Sequence, residues 1–490
     1  MVKQNESDLS LPQATRREFM KSAGTAAFLA AANVPFAPAA SARANNERIL
    51  IRGGTVLTFD PVIGDFEKAD VLIEGKKIVA VQPSLAADAR VIDASNMIVM
   101  PGFIDTHHHH YHDVLRNVQA NGLLSDYFRD ISTSAAAQFR PQDAYTGNLI
   151  GALRAIDAGI TTVTDTSAVS NTPAHTNALI QALNDSGIRA VYCYSRPAGS
   201  TQTFINISEL ERILKQYFAS SDQLVTPALD TFVDGNHWQI ARRYGLRSFT
   251  HVLNVFPGQG TDNVMALGNL MGPDNVYIHF SGATVDQTRR VKDTGGWLSL
   301  AAPIEMSMRH GLPVIQQALD AGMKPSLSSD VDTNMSADMF TQMRSVFTLQ
   351  RALVNQRAIN GEQNLPPLLT AHDVIDMATV QGARTNGLDG KIGTLKPGKE
   401  ADIILLRTDA FNTLPFNNAY GAIVTGMDTS NVDTVIIAGR VMKYGGRLVD
   451  VNLDRVLRQA ADSRDYLFAR LGWRRSILDT SISGHTGRCC

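Results

Sequence analysis

Eight short apolar, β-rich runs alternate with helix-like stretches through the middle of this chain, and that alternation restricts its fold more than any other feature. The runs are "VMPGFIDTH" (99–107), "GITTVTDT" (159–166), "IRAVYCYS" (188–195), "QLVTPALD" (223–230), "RSFTHVL" (247–253), "NVYIHFSG" (275–282), "GWLSLAAP" (296–303) and "KPSLSSD" (324–330). Helical patterns such as "DAYTGNLIGALRAIDAG" and "LPVIQQALDAG" lie between them and stop at glycine. Strand–helix alternation builds parallel sheets, and eight such units close a barrel. The predicted class is α/β, a (β/α)8 TIM barrel over residues 97–388. Barrels gather functional groups at the C-terminal ends of their strands, where His107, His251, His279 and Asp330 all fall.

The flanks have a different texture. "ERILIRGGTVLTFDP", "ADVLIEGKKIVAVQP", "GTLKPGKEADIILLR" and "VDTVIIAGRVMKYGGRLV" alternate and are punctuated by turns, as antiparallel strands are. They predict one small β-sandwich domain built from both chain ends, residues 47–96 and 389–450, with a helix and tail over 451–490. Ahead of them, "TRREFMK" precedes a small, apolar stretch with A-x-A-like sites ending at Ala42 or Ala44. That pattern reads as a twin-arginine signal over residues 1–42, which implies the export machinery as a partner of the precursor and a periplasmic location. Asn33, Pro35 and Pro38 argue against a membrane anchor there.

A formal net charge of −2 leaves no electrostatic footprint for nucleic acid or an anionic membrane. The expected partner is a small-molecule substrate, with a homo-oligomeric state left open. Cys193 lies in an apolar run and Cys489 and Cys490 close a polar tail, so no disulfide framework is expected.

"PGFIDTHHHHYH" (101–112) holds five of the chain's twelve histidines. On a strand alternate side chains share a face, so His107 and His109 point together and His108 and His110 point the other way. The first pair suits a metal; His108, His110 and His112 are expected to pack or to line the mouth.

"PGFIDTHHH", "FTHVLN", "YIHFSG", "LSSDVDTN" and "IGTLKPGKEADIILL" together resemble the amidohydrolase superfamily, in its cytosine deaminase and chlorotriazine hydrolase-like branch. The resemblance implies His107, His109, His251 and Asp330 as ligands of one divalent ion, zinc or alternatively iron, with His279 as the strand-6 histidine. Three histidines and a carboxylate leave room for a water whose pKa an ion lowers from 15.7 toward about 7. Asp330 would take that water's proton, and His279 would donate to the developing oxyanion. Many relatives bridge two ions with a strand-4 lysine, but no lysine occurs between Lys215 and Lys292, so one ion is expected.

The chain departs from the pattern where relatives carry His-x-x-Glu on strand 5: here the sequence is "HVLN", with Asn254 in the glutamate's place. An amide binds substrate but moves no proton near neutrality. Glu305 is the first candidate to replace the glutamate and His310 the second, the alternative for Glu305 being a plain surface pair with Arg309; Asn254 and His310 are expected to contact substrate. Asp165, Asp234 and Asp332 near strand ends are weaker candidates, and Met306, Met308 and Trp238 are expected to pack. The leading expectation is a hydrolase of a C–N bond in a cyclic amide, amidine or N-heterocycle. The alternatives are a dehalogenase-like hydrolase or a lyase or decarboxylase on the same metal, or an exported binding protein without turnover.

Overall fold

The computed structural model describes residues 47–197 and 205–478. The expected export signal and the tail cysteines lie outside the described residues.

All eight expected strands form, and every pairing among them is parallel. They are β1 (Phe103–His108), β2 (Ile160–Ser167), β3 (Arg189–Tyr194), β4 (Val225–Thr231), β5 (Ser248–Leu253), β6 (Asn275–Ser281), β7 (Trp297–Leu300) and β8 (Ser326–Leu327), paired in chain order. β8 is only two residues long, and a bridge between His108 and Asp330 brings the ends of the sheet together. Asp330 donates its N–H to the His107 carbonyl at 2.9 Å and accepts from the His109 N–H at 2.9 Å. The seam of the barrel is therefore stitched by residues expected to bind metal.

Inside the barrel, small hydroxyls satisfy one another. Thr106 Oγ1 lies 2.7 Å from Ser299 Oγ and 2.9 Å from Ser326 Oγ. Thr231 Oγ1 likewise meets Ser248 and Thr250. Buried Trp238 donates to Thr250 Oγ1 at 3.1 Å, which settles it as a packing residue. Paired hydroxyls avoid the cost of burying an unsatisfied polar group.

The strands from the two chain ends do join, through an antiparallel pairing of Ile403–Arg407 with Met97–Pro101, into one nine-stranded sheet. Met97–Pro101 belongs to that sheet, so the barrel starts at Phe103 rather than at residue 97. The apolar run preceding the histidines spans both strands, which concealed the boundary. Arg189, only 2% exposed at the start of β3, donates to Asp402 at 2.8 and 2.9 Å and to Glu400 at 2.7 Å. This buried cluster fastens the barrel to the nine-stranded sheet. The C-terminal helix Leu453–Leu471 packs against the helix Pro141–Asp157, and no described helix is long and apolar enough to cross a membrane.

Candidate metal centre

His107, His109, His251 and Asp330 converge at the C-terminal mouth of the barrel, and the outer nitrogen of each imidazole faces a partner. His107 Nδ1 lies 3.0 Å from Thr166 Oγ1, and His109 Nδ1 is 3.2 Å from the Thr166 carbonyl. His251 Nδ1 faces Asp230 Oδ1 at 3.4 Å. The inner nitrogens face one another and Asp330. His107 Nε2 is 3.2 Å from both His251 Nε2 and Asp330 Oδ1, and His109 Nε2 is 3.7 Å from the same oxygen. Ligand nitrogens held from behind by hydrogen bonds are what a metal site requires.

Electrostatics agrees with the geometry. Burial, together with neighbouring imidazoles, pushes His107 down to about 4 and His109 well below its usual range, so both are neutral and able to ligate. Burial opposes ionisation of Asp330, yet its bond from His107 and the surrounding histidines hold its carboxyl well below the carboxylate range. Burial opposes charge on His251 too, but Asp230 and Asp330 push it above its usual value, so a divalent ion there would take the place of its proton.

Backbone strain marks the same residues. His279 (φ 67) and Asp330 (φ 62) are left-handed without being glycine. At His279 the register between β5 and β6 slips, since Val252 pairs with His279 but Leu253 pairs with Ser281. This irregularity sits where the imidazole meets the cluster, with Nε2 3.6 Å from Asp330 Oδ2.

Glu305 is neither a surface pair nor a wall of the cavity. Its carboxyl is fully buried behind His279, with Oε1 3.1 Å from His279 Nδ1 and accepting the Ala301 N–H at 2.8 Å. Burial pushes its pKa up to about 8, and the same effect drives His279 down to about 4. The protonated Glu305 donates to His279 Nδ1, which leaves the imidazole proton on Nε2, facing Asp330. Glu305 acts through His279. The sequence places it just past a strand but carries no sign that its first helical turn buries it.

Asn254 also differs from expectation. Its side-chain oxygen accepts the Thr261 N–H at 2.8 Å and its amide donates to the Ser281 carbonyl at 3.1 Å. Both halves are spent tying the loop after β5 to the end of β6, and Asn254 does not line the cavity. His310 does line it. The ring is 5% exposed, packs edge-on against His279 at 4.7 Å between centroids, and neither nitrogen has a hydrogen-bond partner.

Apart from Met306 and Met308, which were expected to pack, the remaining candidates make contacts away from the cavity. His108 bonds to Ser329 and Asp113, His110 to Asp165, and His112 to the Tyr127 hydroxyl. Asp234 caps the helix Gly235–Arg243, and Asp332 pairs with Arg116. Met306 is exposed, whereas Met308 is buried and faces the cavity. Two residues escaped sequence reasoning: Thr166 and Asp230. Each stands at the polar end of its run, the same signal that marked the histidines, but neither is a typical ligand.

The cavity above the cluster encloses about 470 Å³. Its floor carries His109, His251, His279 and Asp330, and its sides carry Tyr127, Phe232 and Leu253. Phe128 and Phe256 meet edge-to-face at 4.9 Å at the outer wall.

A parallel eight-stranded barrel with three histidines and an aspartate converging at its strand ends defines a metal-site barrel protein. A model of the amidohydrolase family matches residues 98–234 and 255–442, and the chain belongs to that family. His251 and Asn254 lie in the stretch between the matched segments. The chain is 27% identical to a 5'-deoxyadenosine deaminase of Methanothermobacter thermautotrophicus, over 82% of this chain and 95% of that protein. It is 25% identical to a 5-methylthioadenosine/S-adenosylhomocysteine deaminase of Symbiobacterium thermophilum, over 81% and 93% respectively. An adenosine deaminase from Xanthomonas campestris with bound zinc shares the fold at a TM-score of 0.76 and 20% identity, covering 86% of this chain and 98% of that one. Zinc-complexed atrazine chlorohydrolase from Arthrobacter aurescens does so at 0.74 and 23%, covering 85% and 100%.

Proposed function

We propose that the protein is a metal-dependent hydrolase that uses water to cleave a C–N bond of an N-heterocyclic substrate. One observation carries this reading: His107 Nε2 stands 3.2 Å from both His251 Nε2 and Asp330 Oδ1, with His109 Nε2 3.7 Å from the same oxygen, beneath the cavity. A divalent ion held there, zinc before iron, supplies Lewis acidity that makes water a nucleophile at neutral pH. Curated relatives named as deaminases of adenine nucleosides support C–N chemistry on a heterocycle.

The chain's own residues supply the rest. Asp330 stays ionised and accepts the proton of the attacking water, then returns it to the departing nitrogen as the C–N bond breaks. His279 donates from Nε2 to the group that gains negative charge, and Glu305 behind it fixes that tautomer. His310 presents an unpartnered ring nitrogen to a polar edge of the substrate, while Phe128 and Phe256 cover its apolar side.

A second reading, hydrolysis of a carbon–halogen bond, is favoured by Asn254. No carboxylate stands at that position, and a halide leaves without a proton. A panel of amino- and chloro-substituted heterocycles separates the two by the ion released, ammonium or chloride. Loss of both zinc and turnover in His107→Ala is expected; a variant that turned over at the wild-type rate without zinc would end the proposal. The signal over residues 1–42 supports a periplasmic site of action, tested by accumulation of uncleaved precursor when Arg16 and Arg17 become lysine.

A further inference from the structure

Of the histidines assigned to the ion, His251 is the least confined. Its side chain is 30% exposed, against 0% for His107 and 10% for His109. It stands on the cavity wall near the end of β5, where the loop Val255–Gly258 beyond it is solvent-facing apart from the half-buried Phe256. Packing alone cannot fix such a ring, and an imidazole that swings loses the ion.

The structure supplies a restraint from two neighbouring strands. Asp230, at the end of β4, sets Oδ1 3.4 Å from His251 Nδ1, on the side of the ring away from Asp330. That oxygen is buried and makes no hydrogen bond, so the imidazole is the polar group it faces. Its other oxygen accepts the Ser195 hydroxyl at 2.7 Å, just past the end of β3. The hydroxyl therefore sets the plane of the carboxylate, and the oxygen left over is the one aimed at the imidazole. His107 and His109 are held from behind by neutral groups of Thr166. His251 alone of the three has a carboxylate behind it, at its outer nitrogen.

We infer that Asp230, oriented by Ser195, is a positioning residue that locks His251 with Nε2 turned toward the ion. The chain Ser195–Asp230–His251 crosses three adjacent strand ends. It lies outside the family's His-x-x-Glu region and explains how the strand-5 ligand is held where the neighbouring Asn254 is committed to loop structure. The inference rests on the proposed metal site. Outer carboxylates of this kind change metal affinity by about 10- to 100-fold when removed.

The test uses full-length protein, a chromophoric chelator competing for zinc, and the visible absorption of the cobalt-substituted protein. Asp230→Asn keeps shape and removes charge; Ser195→Ala leaves Asp230 in place and frees its plane. Asp230→Asn is expected to weaken zinc about 10- to 100-fold and to shift the cobalt bands, with an unchanged circular dichroism spectrum. Ser195→Ala is expected to weaken zinc severalfold in the same direction, and reads the same restraint should Asp230→Asn fail to fold. Zinc affinity within about twofold of wild type in whichever variants fold, with unshifted cobalt bands, overturns the inference. Failure of the metal site itself is distinguishable, because wild type would then bind no zinc that His107→Ala removes.

Discussion

Replacing Glu305 with glutamine should make the stability of the metal-free protein less sensitive to pH. The carboxyl is pushed from 4.5 up to about 8 by burial. Folded protein keeps a proton that unfolded chain releases between those values, so stability falls as pH rises across that window. The contribution is fully present below about 4.5 and is lost as pH climbs through about 8. Each unit is worth about 1.36 kcal/mol, so the three units from pH 5 to pH 8 amount to about 4 kcal/mol. Glutamine does not titrate, and because Glu305 Oε1 alone meets both the Ala301 N–H and His279 Nδ1, the amide oxygen keeps the first contact and loses the second. Urea unfolding of chelator-treated wild type and Glu305→Gln at a series of pH values measures the difference directly. Wild type should lose stability relative to the variant by several kcal/mol on going from pH 5 to pH 8. Parallel curves, offset by a constant, would refute a neutral buried acid behind His279. Turnover gives a companion readout. With the donor to His279 Nδ1 gone the tautomer is held less firmly, so the rate should fall by about tenfold. A loss of about 10²–10⁴ would mean that Glu305 itself carries protons at the reacting atoms.

Two further outcomes follow from contacts elsewhere. Arg189→Met strands the buried carboxylates of Asp402 and Glu400 and should cost about 3–5 kcal/mol, read as a lowered melting temperature with unchanged zinc content; an unchanged melting temperature would contradict the cluster's role. Asn254→Ala should cost about 1–2 kcal/mol of stability through the lost bonds to Thr261 and Ser281 while leaving KM within about twofold, and a large rise in KM with normal stability would restore Asn254 to the substrate site.

The sequence exposes the barrel because most of the eight apolar runs end in polar residues, and a helix stopped by glycine follows several of them. It exposes His107 and His109 because strand parity separates them from His108 and His110, and the structure keeps that separation. What it hides depends on which way a short segment turns after a strand. Glu305 and Asn254 both stand just beyond strands, yet one is buried under His279 and the other is spent on a loop. Nothing in the local composition distinguishes those outcomes from a side chain facing the cavity. Asp230 and Thr166 were legible by position but not by residue type, since an aspartate or threonine at a strand end is common. The start of the barrel was obscured for another reason: Met97–Pro101 and β1 form one apolar run, divided between two sheets by Gly102.

The central claim is that water, activated at the His107–His109–His251–Asp330 site, displaces nitrogen from a heterocycle. It is tested most directly by turnover in ¹⁸O-labelled water with zinc-loaded and zinc-stripped protein, followed by mass spectrometry of the product and assay of released ammonium. On an amino-heterocycle that the protein accepts, zinc-loaded protein should place one labelled oxygen in the product for each ammonium released, and stripped protein should do neither until zinc is restored. Ammonium release without label, or labelled product formed at an equal rate without zinc, would contradict the account.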